Sequence, residues 1–331
     1  MQNYFNCITF ALTCLPRFPS EQRALGKLFA FKPMPKIPYT KPALTYAEQL
    51  QQLKDRGMVV ADDGKALHLL ENISYYRLSG YWYPLLADKA NHLFKPTARF
   101  DTAFRLYCFD KELRKLMISE LEKIEVAVRA KMIYILSHQH GPFWFQNPSL
   151  FKSPVSHANA LSHIGVEFNR SDEEFIHAFR NKYSDPLPPS WMILEITSFG
   201  TLSMLYKNLK PGREKRAIAG HFGLADSVFE TWLHSIVYLR NVCAHHTRLW
   251  NRSMSISPQF PLTPRKPWLA NTAISNRRTY FMLDMILYLL QTVSPNNTFA
   301  AKIKALLVKY NNVAPSAMGF PADWETETLW Q

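Results

Sequence analysis

Leu113, Met117, Leu121, Ile124, Val128, Met132 and Ile135 follow one another at steps of four, four, three, four, four and three residues. Each step returns the side chain to nearly the same bearing on a helix of about 3.6 residues per turn. A strand would send alternate residues to opposite faces. The stripe predicts one long amphipathic helix over about residues 101–138. Its polar side carries Glu122, Glu125 and Arg129. By themselves these three read as intrahelical ion pairs on a wet face, worth a few tenths of a kcal/mol each. A place beside a functional site is the alternative.

The rest of the chain carries the same period. Thr45 and Glu48 have the spacing of a capping box and Gly57 is a natural stop, so a first helix lies between them. Further helices are expected at about residues 63–74, 156–168, 171–184, 190–208, 212–221, 225–246, 272–293 and 298–311, the one at 171 opening on a second capping box, Ser171 with Glu174. Tyr75 to Tyr83 forms an aromatic knot whose local structure the pattern leaves open, and Pro258, Pro261, Pro264 and Pro267 punctuate an irregular segment over 253–268. With no strand-rich stretch and no internal repeat, the fold expected is all-α, a multi-helix bundle with additional N-terminal helices.

Four parts suggest themselves: an extension over 1–33, disordered or translated from upstream of the natural start; an N-terminal helical and aromatic region over 34–99; a helical domain over 100–312; and a C-terminal tail over 313–331. Cys7, Cys14, Cys108 and Cys243 form no Cys-x-x-Cys pair and read as reduced thiols of a cytoplasmic protein. No bound metal or other cofactor is expected, since neither His138 with His140 nor His245 with His246 has the spacing that pairs imidazoles on a helix. The most apolar run, Phe281 to Val293, is interrupted by Asp284, and Cys7 to Leu15 lacks the flanks of a signal peptide. No membrane partner is implied.

Lys and Arg number 39 against 26 Asp and Glu, an excess that favours a polyanionic partner. It is concentrated. No acidic residue occurs between Glu230 and Asp284, while Arg240, Arg248, Arg252, Arg265, Lys266, Arg277 and Arg278 do, interleaved with His245, His246, Trp250, Phe260, Trp268 and Tyr280. Guanidinium groups bind phosphates bidentately and aromatic faces stack on unpaired bases. This block is where a nucleic-acid surface is expected, with Arg248, Trp250, Arg252, Arg265, Lys266, Arg277 and Arg278 as its contacts. Tyr81, Trp82 and Trp191 read instead as core.

The helix over 225–246 has an apolar face of Phe229, Trp232, Leu233, Ile236, Leu239 and Cys243, and Arg240 falls near its middle. A guanidinium there is costly to bury unless it is paired or meets a cavity or a second chain. Asn241 and His245 share a neighbouring side. Arginine and histidine suit RNA cleavage without a metal: neutral histidine takes the 2′-hydroxyl proton and arginine holds the phosphate. A second acid is needed for the leaving 5′-oxygen. It could come from His246 or from a second copy of the motif in a dimer. The spacing alone is a common one, and taken by itself a capped helix end with a satisfied histidine explains it better; its place at a helix end within the acid-free basic block favours the functional reading.

Leu239-Arg-Asn-Val-Cys-Ala-His-His-Thr-Arg-Leu-Trp-Asn-Arg252 resembles the signature of the Abi-like family, which includes the AbiD and AbiF abortive-infection proteins. Asn72 to Trp82, Phe109 to Arg114, Ile124 to Arg129 and Trp191 to Gly200 resemble it in the same order, and the likeness extends from about residue 42 to about 290. The resemblance implies a HEPN-like helical domain, commonly dimeric and often a metal-independent endoribonuclease. It implies Arg240, Asn241 and His245 as catalytic, with His246, Glu122, Glu125 and Arg129 as auxiliary candidates. It implies a phage-defence or toxin-like role on cellular or phage RNA, or association with a small non-coding RNA. A non-catalytic RNA-binding component is the rival reading. A DNA-binding regulator is weaker, for want of a recognition-helix module.

Overall fold

The computed structural model describes residues 38–331, in two compact units divided after Ala103. The expectations for residues 1–33, Cys7 and Cys14 lie outside the described residues.

In the first unit, α1 (Tyr46–Asp55) opens on the expected capping box. Thr45 Oγ1 accepts from the Glu48 amide at 3.3 Å, and the Glu48 carboxylate accepts from the Thr45 amide at 2.7 Å. Gly57, at φ +89°, turns the chain out of the helix. α2 (Asp63–Ile73) is capped by Asp62. The aromatic knot proves to be a helix, α3 (Tyr75–Trp82), and buries Leu78, Tyr81 and Trp82. A two-stranded antiparallel hairpin, β1 (Leu86–Asp88) and β2 (Leu93–Phe94), follows.

The unit division falls inside α4 (Phe100–His140), close to where the boundary at 99/100 was expected. Along the second unit's part of α4, Leu113, Met117, Leu121, Ile124, Val128 and Met132 are all buried. The last position of the stripe is Leu136, not Ile135, which stays half-buried. From Met132 a step of four turns a side chain about 40° forward and a step of three about 60° back, so Leu136 is the nearer to the buried line.

α5 (Pro154–Arg170) and α6 (Glu174–Lys182) come next. The capping box expected at Ser171 does not form. Ser171 closes α5 with extended backbone, and Glu173 stands at the α6 N-cap without a side-chain cap. The single helix expected over 190–208 is two, α7 (Ser190–Ile193) and α8 (Phe199–Asn208). Thr197 donates its hydroxyl to the Ile193 carbonyl at 2.8 Å and Ser198 caps α8, so side chains take over the backbone groups that a continuous helix would use.

α9 (Arg213–His221), α10 (Asp226–Ala244), α11 (Thr279–Val293) and α12 (Phe299–Lys309) complete the set, and α10 packs against α8, α9 and α11. Every residue of α11 from Thr279 to Leu290 is buried, as expected of a helix enclosed on all sides. α11 begins seven residues later than expected, because 272–278 belongs to the irregular segment after α10. Residues 313–331 form three short 3-10 turns whose Met318, Phe320, Trp324, Leu329 and Trp330 are buried. Their Trp330 indole donates to Asp284 of α11 at 2.7 Å, and the Glu327 carboxylate accepts from the Ala270 and Asn271 amides at 2.7 and 2.9 Å. Among the described residues the architecture is all-α but for the hairpin, and no helix is long and apolar enough to cross a membrane.

Candidate functional site

Phe229, Trp232, Leu233, Ile236, Leu239 and Cys243 of α10 are all buried as expected, but Arg240 is exposed. Val228, Ser235 and Val242 are buried too. They widen the inner face on the side away from Arg240 and move its centre by some tens of degrees at about 100° per residue. Arg240 thus sits at the rim and needs no buried partner.

α10 ends in a Schellman motif. The Thr247 amide donates to the Val242 carbonyl at 3.0 Å and the His246 amide to Cys243 at 3.1 Å. His246 occupies, at φ +56°, the left-handed position where glycine is usual. Non-glycine residues held there cluster at functional sites. His245 is the C-cap, its amide donating to the Asn241 carbonyl at 2.9 Å. Arg240, Asn241, His245 and His246 are all exposed at this helix end. The Arg240 guanidinium makes a long contact, 3.5 Å, with the Asn241 side chain.

The chain beyond the motif is anchored by a residue that the sequence reading passed over. Asp110 of α4 is fully buried, and its carboxylate accepts from the Leu249 amide at 3.1 Å and the Trp250 amide at 2.5 Å while pairing with buried Arg114. Burial pushes the neighbouring Cys243 thiol up to about 12, with Arg114 opposing and Asp110 reinforcing, so this cysteine is no nucleophile. A sequence signal did exist: Asp110 and Arg114 stand four apart on the apolar side of the long helix, where a solvated pair would not.

Much of the acid-free basic block is engaged in holding this irregular segment. Arg252 donates to the Tyr238 hydroxyl at 2.9 and 3.2 Å and to the Arg248 carbonyl at 3.2 Å. Arg278 binds the Asn251 side chain at 3.0 Å and the Ala317 carbonyl, and Arg277 the Met254 carbonyl at 3.0 Å. Lys266 reaches the Thr292 hydroxyl. Trp250 is buried, which corrects its expected part in stacking, because its ring offers no open face. Trp268 packs on Trp232, Phe281 and Tyr288, and Phe260 on Phe281. Arg265 is exposed, its backbone amide bonded to Gly223, and Arg248 is half-buried.

Of the four auxiliary candidates three stand on α4, where Glu125 lies within the influence of Arg240 and pairs with Arg129. Arg129 is largely buried and pairs with Glu125 at 2.9 Å, and it also donates to the Thr197 and Glu195 carbonyls at 3.0 and 3.3 Å. Burial holds the Glu125 carboxyl above its ordinary value and nearby Glu122 adds to this, while the cations of Arg129 and Arg240 pull it down. The charge of Arg240 is therefore felt at Glu125. Glu122 itself is exposed. Tyr81 and Trp82 are core as expected, whereas Trp191 is 51% exposed: it stands on the outer side of the four-residue α7, whose inner residues Ser190 and Ile193 are buried. Among the described residues no group of three or more His, Cys, Asp or Glu side chains is placed to hold a metal ion.

A family model described as Abi-like protein matches residues 68–251, more than half of the chain and all of the helix end just described. Comparison with curated proteins found no match, and comparison with solved structures found none.

Proposed function

The chain belongs to the Abi-like protein family, the proteins of abortive infection, and on that premise we propose that it is a metal-independent endoribonuclease of the HEPN type, acting in phage defence. One observation carries the reading: Arg240, Asn241 and His245 stand exposed together at one helix end, on an element whose inner face is buried and whose following loop is pinned by Asp110. Catalytic groups need this kind of rigid support.

In the proposed reaction neutral His245 takes the proton of a ribose 2′-hydroxyl. The freed 2′-oxygen attacks the adjacent phosphorus, the bond to the 5′-oxygen breaks, and the products are a 2′,3′-cyclic phosphate and a 5′-hydroxyl end. Arg240 holds the phosphate and stabilises the charge that develops on it. Asn241 hydrogen-bonds the same group or orients Arg240. The proton for the 5′-oxygen comes from His246 or from the same motif of a second copy in a homodimer. Arg248 and Arg265 extend the phosphate contacts, and the substrate is cellular RNA, phage RNA or a small non-coding RNA.

The test pairs the wild type with His245→Ala, matched for folding by circular dichroism, on total RNA in EDTA. Cyclic phosphate ends from wild type alone are the expected result. RNA that co-purifies with both proteins and is cut by neither would replace this reading with an RNA-binding component.

A further inference from the structure

Trp191 faces solvent in a setting that suits stacking. It is 51% exposed and Tyr134 is 60% exposed. Both line a groove of about 580 Å³, together with Ala130, Ile133, His138 and Glu195. Sites for small organic groups span roughly 300–1,000 Å³. The wall of the groove is rich in π faces, the Tyr134 ring lying 4.3 Å from that of His138, and a cation stands near it, the Lys131 ammonium being 5.6 Å from the Tyr134 ring. Apolar rings left in water in this way favour any partner that covers them.

Side-chain contacts lead from the groove toward the candidate active site. Glu195 on its rim is held by Arg129, through its carbonyl at 3.3 Å and its carboxylate at 3.5 Å. Arg129 pairs with Glu125, and Glu125 lies within the field of Arg240. Glu125, Arg129, Ile133 and Ser137 succeed one another at steps of four on α4, and the groove begins at Ala130, about 7.5 Å along the helix from Glu125. The Arg129 Nε is buried and has no hydrogen-bond partner.

We propose that this groove seats an unpaired base of the RNA strand whose phosphate lies at Arg240, with Trp191 as the stacking face. The inference rests on the ribonuclease reading above. Charge does not oppose it: the carboxylates of Glu122, Glu125 and Glu195 are matched by the cations of Arg129, Lys131 and Arg240, and Arg129 pairs with two of the three. Stacking on an aromatic is tolerant of base identity, so the groove fixes the strand's position and leaves its sequence free.

The test uses the His245→Ala protein, in which RNA is bound without being cut, and a fluorescein-labelled oligoadenylate read by anisotropy. Adding Trp191→Ala is expected to weaken binding roughly tenfold, and Trp191→Phe to restore most of it. With His245 present, Trp191→Ala raises KM for the oligonucleotide and leaves kcat nearly unchanged. Unchanged affinity with intact His245-dependent cleavage overturns the base platform and leaves the ribonuclease standing. A dimer that Trp191→Ala converts to monomer, with RNA affinity unchanged, gives the groove to a second copy and overturns the platform too. A wild type that neither binds nor cuts RNA fails the ribonuclease reading and this one with it.

Discussion

Arg240 and Arg278 are the same residue type in the same basic block, and their surroundings separate them. Arg278 is committed to Asn251 and the Ala317 carbonyl, whereas Arg240 is exposed with one long contact to Asn241. Removing an exposed side chain with so little attached to it changes stability by no more than about 0.5 kcal/mol. Arg240→Ala is therefore expected to keep the wild-type Tm while cleavage falls on the order of a hundredfold, the usual scale for losing one group that stabilises a developing charge. Arg240→Lys should recover only part of this, because an ammonium lacks the bidentate fork. Arg240→Ala also removes a cation that pulls Glu125 down, so in that variant the Glu125 carboxyl should move further up. A carbon-detected NMR titration reads that shift directly, and an unmoved Glu125 would mean that the guanidinium lies elsewhere in solution.

At the level of elements, what could be read in advance was whatever depends on local period. The stripe of α4 and the inner face of α10 were legible because burial repeats with the helix turn. The rim position of Arg240 was not, because three further buried residues shift the face and only packing reveals them. The pinning of the loop was hidden for another reason: Asp110 meets amides that lie 139 and 140 residues away. No spacing rule reaches that far. The exposed Trp191 was misread because size predicts burial only on average. The Asp110 clamp predicts its own test. Asp110→Ala leaves Arg114 buried without its counter-charge and strands the Leu249 and Trp250 amides, a loss of about 3–5 kcal/mol. Urea denaturation measures it, and a change below about 0.5 kcal/mol, within the range of ordinary surface substitutions, would dismiss the clamp.

At the scale of the whole molecule, a carboxyl wholly buried in the core makes stability respond to pH. Asp284 lies wholly inside the second unit, where burial holds its carboxyl well above 3.8 against the opposing Trp330 hydrogen bond. The unfolded chain releases this proton near 3.8 and the folded chain keeps it to higher pH. Between those two points the folded state binds one proton more, so this contribution is complete at low pH and is lost as pH rises, at up to about 1.4 kcal/mol per unit. Asp284→Asn cannot titrate. The difference in urea midpoint between wild type and this variant should therefore change as pH rises above 3.8, and a constant difference would show that Asp284 is ionised in the folded protein. The grip of Glu327 on Ala270 and Asn271 has a consequence of another kind. Ribosomes make the Arg240–His245 motif well before they make Glu327. During synthesis the irregular segment behind the motif is therefore without one of its fastenings, and the order of translation leaves Ala270 and Asn271 unheld until that carboxylate has emerged.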